Sequence, residues 1–159
     1  MHRTDPHTDS PLSPPESAVN ALGVAEMFAL WSLRLWVLAY RSGGNLLPDL
    51  RRGFALAGMP DAWLDLDEFL TRMLGNVRRP LDIRALASPM LSPDELGILH
   101  GLAGLQRQNL PAAQCDRLKT IAVAGERLAL GFAAAGLVFG ACVDGNGPVA
   151  AAPGDIVMQ

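Results

Sequence analysis

The sequence predicts an all-α protein, a compact bundle or orthogonal array of about five helices with disordered N- and C-terminal tails. Apolar residues recur at three- and four-residue steps, no stretch alternates as a half-buried strand would, and Val and Ile are scarce. With 159 residues, 50% of them hydrophobic and 18% charged, the chain suits one domain with a sizeable core. Residues 1–16, with Pro6, Pro11, Pro14 and Pro15 and no periodicity, read as a disordered tail. Residues 17–143 form the helical domain, and residues 144–159 a flexible second tail.

The first helix is expected from Ser17, a capping residue, to Arg41, where "SGGN" supplies glycines that tolerate left-handed backbone. Its stretch "FALWSLRLWVLAY", Phe28 to Tyr40, holds eleven apolar residues in thirteen. On a helical wheel Asn20, Glu26, Arg34 and Arg41 fall within about 120° of one another. Glu26 and Arg34 would each cost several kcal/mol inside a bilayer, on the order of the insertion scales. The expectation is a core helix that shows water along this polar edge, with Trp31 and Trp36 buried.

A second helix is expected from Pro48, tolerated in a first turn, to about Gly58. A third runs from about Pro60 to Gly75. Its acids Asp61, Asp65 and Glu68 share a face, which suits the positive end of the helix dipole, and Arg72 follows Glu68 at i+4. "NVRRPLDIRALASPML" lacks clear periodicity, and one short helical turn is expected near Leu81 to Ala87. "SPDE" is the sharpest local signal. Ser92 caps, Pro93 fits the first helical position, and Glu95 reaches back to the Ser92 N–H to complete a capping box. That helix runs to about Gln108. The last is expected from Pro111 to about Val143.

Along the last helix Ala122, Gly125, Ala129, Ala133, Gly136 and Gly140 follow at three- and four-residue steps. A glycine inside a helix costs up to about 1 kcal/mol relative to alanine. Several on one line predict close packing, with the first helix as expected neighbour and a second copy of the last helix as the alternative. Cys115 and Cys142 would sit about 40 Å apart on this helix, too far to bond, so they are read as reduced thiols.

The chemistry-bearing residues do not assemble a motif. Of three histidines, His2 and His7 fall in the tail, and His100 has no acid or cysteine at ligand spacing. No Glu-x-x-His motif, phosphate loop or nucleophile with a base is visible, so the reading assigns no catalytic residue, no metal and no cofactor. Arg78, Arg79 and Arg84 form the one candidate anion- or partner-binding cluster, since guanidinium forks suit phosphates and carboxylates. The net charge of −3 argues against a nucleic-acid binder.

Lys119 is the sole lysine among thirteen basic residues, a bias typical of GC-rich bacterial genomes. The first sixteen residues are polar, unlike a basic segment running into an apolar one, which suggests a cytoplasmic protein. The expected function is therefore a non-catalytic bacterial interaction or regulatory protein, acting on a protein partner or a second copy of itself. The alternatives are a membrane-associated protein using the first and last helices, and a small-ligand-binding helical domain.

Overall fold

The computed structural model describes residues 18–107 and 116–140, with side chains from Lys119 onward in the last helix. Both expected tails, Cys115 and Cys142 lie outside the described residues. Among the described residues five α-helices follow one another: α1 (Val24–Arg41), α2 (Leu47–Leu56), α3 (Ala62–Leu74), α4 (Pro93–Gln106) and α5 (Asp116–Ala134). Among the described residues there is no strand, only an antiparallel bridge between Ala18 and Met90. No described helix is long and apolar enough to cross a membrane.

α1 begins later than its capping serine suggests. Val19–Ala21 forms a single 3-10 turn, and the Val19 N–H donates to Pro89 O at 2.8 Å instead of into a helix. Gly23, in extended backbone, then caps α1. Of the expected polar edge, Asn20 and Arg41 are exposed, but Glu26 and Arg34 are not. Glu26 is 2% exposed and Arg34 3% exposed. Burying a charge is tolerable only when it is paired and hydrogen-bonded, and the partners that allow it lie far away in sequence, in α4 and in the segments 84–92 and 137–140.

α4 opens as its sequence predicts. The Ser92 hydroxyl accepts from the Glu95 N–H at 3.1 Å, and Glu95 accepts from the Ser92 N–H at 2.9 Å. The helical turn expected near Leu81 to Ala87 is absent; residues 81–85 have no regular structure and a turn follows, with Ser88 N–H donating to Ala85 O at 2.9 Å.

α5 packs on α3 and α4. A Cβ on Gly125 would lie 2.7 Å from Leu105 Cδ1 and 3.0 Å from Phe69 Cε2, and Ala129 is fully buried. So the first part of the small-residue line does allow close packing, but its neighbours are α3 and α4, not α1. Gly136 and Gly140 lie beyond the helix. Gly136 adopts φ +79° with open space where a Cβ would stand. Its N–H donates to Ala133 O at 2.9 Å and the Leu137 N–H to Phe132 O at 2.8 Å, which makes it the left-handed stop of a Schellman turn. A glycine spaced like a packing position is here a terminator.

The chain then doubles back. Gln106 donates to Ala129 O and Leu137 O, both at 3.1 Å, and accepts from the Phe139 N–H at 2.8 Å. The Gly140 N–H donates to Glu26 Oε1 at 2.5 Å. These bonds seat Phe139 on Phe132, rings stacked at 5.5 Å. Phe132 is also 5.7 Å from Phe28, which meets Phe54 edge-on at 5.2 Å. This aromatic chain is how α1 and α2 meet α5.

Trp36 is buried as expected and its indole N–H donates to Asp67 Oδ1 at 2.8 Å. Trp31 is only half-buried and lies across α2 at Gly53. A Cβ on Gly53 would stand 2.6 Å from Trp31 Cζ3 and closer still to Cη2. Gly53→Ala is therefore expected to destabilise the fold by about 1–3 kcal/mol through overpacking, less up to about 1 kcal/mol regained in helix propensity. Urea denaturation reads this directly. A stability equal to or above that of the unaltered protein would show that the indole moves aside freely.

Candidate functional site

Arg34 projects from the middle of α1 against the first turn of α4. Its Nε donates to Glu95 Oε1 at 2.7 Å and its Nη2 to Oε2 at 3.0 Å. Nη1 donates to Ser88 O at 2.7 Å, and Nη2 also to Met90 O at 2.8 Å. Glu95, 0% exposed, further accepts the Arg84 N–H at 3.0 Å besides that of Ser92. One residue thus serves three tasks: it closes a capping box, neutralises a buried guanidinium, and satisfies a loop amide. The pair fastens residues 84–92, which have no regular hydrogen-bond ladder of their own, to α1 and α4.

Above this pair opens a groove of about 650 Å³. It is lined by Met27, Leu30, Trp31 and Arg34 of α1, by residues 86–90 and by Ala18–Asn20, which adjoins that segment through the Ala18–Met90 bridge. Most of its surface is apolar. At the mouth Met27 is 44% and Leu86 40% exposed. The volume lies within the range of about 300–1,000 Å³ typical of small-molecule sites. Sequence reasoning missed this place. The available signal was a lone arginine in an otherwise apolar helix, together with a helix-capping glutamate.

In the arginine cluster predicted from sequence, Arg79 and Arg84 stand near the surface and meet acids, Arg79 on the first turn of α4 and Arg84 two residues away in its own segment. Arg79 grips Asp94 with two bonds, Nη2 to Oδ1 at 2.6 Å and Nη1 to Oδ2 at 2.8 Å. Arg84 Nε lies 3.7 Å from Asp82 Oδ2. Arg78 is exposed. The guanidinium of Arg79, and then the Asp82 N–H, hold the Asp94 carboxyl below the ordinary range, and Asp94 in turn raises Arg79. A depressed folded value means stability that is present above the unfolded value, near pH 4 on order-of-magnitude grounds, and lost as pH falls through the folded one. Asp94→Asn is expected to lower the melting temperature at neutral pH, with the gap closing in acid. A gap that does not change between neutral pH and strong acid would show that this pair does not couple to folding.

The acids of α3 likewise serve packing. Arg127 of α5 bridges to Asp65 at 3.1 Å and to Glu68, which also holds Arg72 at 2.7 Å. Among the described residues no three His, Cys, Asp or Glu side chains are grouped to hold a metal ion. His100 is half-buried, and its Nε2 has no hydrogen-bond partner among the described residues. No protein-family model, curated protein or solved structure matches the chain.

Proposed function

We propose that this chain is a non-catalytic binding and regulatory module, and that it receives an apolar group of its partner in the groove over the Arg34–Glu95 pair. The observation that supports this reading is the groove itself: about 650 Å³, chiefly apolar, open between Met27 and Leu86. The ionised side chains beneath it are engaged with each other and with the backbone, an arrangement that favours holding a shape over moving protons. A bacterial, cytoplasmic setting belongs to the proposal and rests on the arginine-biased composition and on a cysteine count of two, too low for a disulfide scaffold.

Methionine methyl resonances test it. Met27 and Met90 line this groove, whereas Met73 lines a second cleft among α3, α4 and α5. Titration with a panel of small apolar fragments is expected to shift Met27 and Met90 first. Ala87→Trp, placed at an exposed position on the groove lip, should abolish those shifts without unfolding the protein. Shifts confined to Met73 and unaffected by Ala87→Trp would contradict the reading.

A further inference from the structure

Glu26 and Glu95 are the buried carboxylates among the described residues, and they are partnered very differently. Glu95 meets the Arg34 guanidinium and the amides of Arg84 and Ser92. Glu26, 2% exposed, meets no cation; its Oε1 accepts from the Gly140 N–H at 2.5 Å, and its Oε2 accepts from no donor among the described residues. The carboxylate lines a pocket of about 340 Å³ that shares no residue with the groove over Arg34. Gly140, which holds Oε1, and Gly23, over which Oε2 lies, both line this pocket; a Cβ on Gly23 would stand 2.6 Å from Oε2. The charged head therefore sits between two of the pocket's own walls. Apolar side chains of Leu22, Leu137 and the well-exposed Val24 and Val138 complete the lining, and no arginine, lysine or histidine of the described residues joins them. We infer that this pocket binds a primary ammonium carried on a short aliphatic body, with the ammonium on Glu26 Oε2.

The chemistry of the walls selects this class. A buried charge is tolerated when it is paired and hydrogen-bonded, and among the described residues Glu26 has one hydrogen bond and no pair. The amide end of α1 offsets roughly half an elementary charge, so the pocket stays net negative and disfavours a carboxylate. A divalent metal ion wants several oxygen ligands, more than one of them charged, and no group of acids, histidines or cysteines is placed to supply them among the described residues. An ammonium is a compact single charge with N–H donors of its own, which matches one free carboxylate oxygen. The body should be aliphatic, because no aromatic ring lines the pocket and its mouth is flanked by Val24 and Val138.

Isopentylammonium, isopentanol and isocaproate share one branched body and differ in the head group. Binding is followed by the methyl resonances of Val24 and Val138 and by the amide resonance of Gly140. The ammonium should bind about tenfold tighter than the alcohol, the ratio expected of one charge-assisted contact, and isocaproate should bind least. Glu26→Gln keeps an acceptor for the Gly140 N–H and removes the charge, so it should bring the ammonium down to the level of the alcohol. Val138→Trp, at an exposed position on the mouth, should abolish the shifts, and it carries the test if Glu26→Gln fails to fold.

Equal affinity of isopentanol and isopentylammonium would overturn the charge pairing. Tightest binding by isocaproate would show that the amide end of α1 governs the pocket, and would overturn the inference. Shifts confined to Met27 and Met90 would place the amine in the groove over Arg34, overturning this pocket and leaving the groove reading intact. Silence of Val24, Val138 and Gly140 at millimolar amine would overturn it as well.

Discussion

Arg34→Met is expected to destabilise the protein by about 3–5 kcal/mol, because it leaves a buried carboxylate without its cation. Methionine keeps much of the arginine stem and its packing, so the loss reports the charge and the hydrogen bonds. Glu95 is 0% exposed and would retain only the Ser92 and Arg84 amides. Ser88 O and Met90 O would lose their donor as well. A buried pair can often be exchanged for apolar residues at little cost. Here four backbone groups depend on the pair, so the double variant Arg34→Met/Glu95→Leu should regain only part of the loss. Urea denaturation of the two single variants and the double variant gives the coupling. A single-variant loss below about 1 kcal/mol, in the range of exposed pairs, would mean that the pair is hydrated in solution.

Phe132→Ala is expected to cost a similar amount, about 3–5 kcal/mol. Its side chain is 1% exposed and its ring meets those of Phe28, Phe54 and Phe139 at 5.7, 6.3 and 5.5 Å. Aromatic pairs in such geometries add about 0.5–1.5 kcal/mol each beyond burial. The gap left by alanine lies between helices that Gly53 and Gly125 already bring close elsewhere, so little collapse is available to fill it. The chain 137–140 should loosen with it, because Phe139 loses the ring it stacks on. A melting temperature within a degree or two of the unaltered protein's would contradict this placing of the core.

What was legible in the sequence was local. The capping box at Ser92 and Glu95 and the glycine stop after Arg41 follow from contacts within a few residues, and both are found. The groove was not legible, because its parts come from segments more than fifty residues apart. Periodicity placed Glu26 and Arg34 on one edge of α1 but could not say whether water or a matching charge faced them. For Arg34 the answer lay in Glu95, whose role as a cap concealed its second role as counter-ion. The segment 75–92 gave no clear pattern because distant side chains, not its own ladder, hold it. Gly136 misled because a helix-terminating glycine and a packing glycine share the same spacing; only its positive φ separates them. Trp31 escaped full burial because the groove opens beside it.

Amide hydrogen exchange reads whether the Arg34–Glu95 pair holds residues 84–92 in a fixed position beside the groove. The amides of Arg84 and Ser92 donate to Glu95, and that of Val19 donates to Pro89 O across the groove end. Arg84 lies outside any helix, so nothing but this network should slow its exchange. The Arg84 amide is expected to be protected to nearly the same free energy as core amides of α1 and α4, opening only with the whole fold. Exchange of the Arg84 amide at the rate of an open loop, while α1 and α4 stay protected, would contradict it.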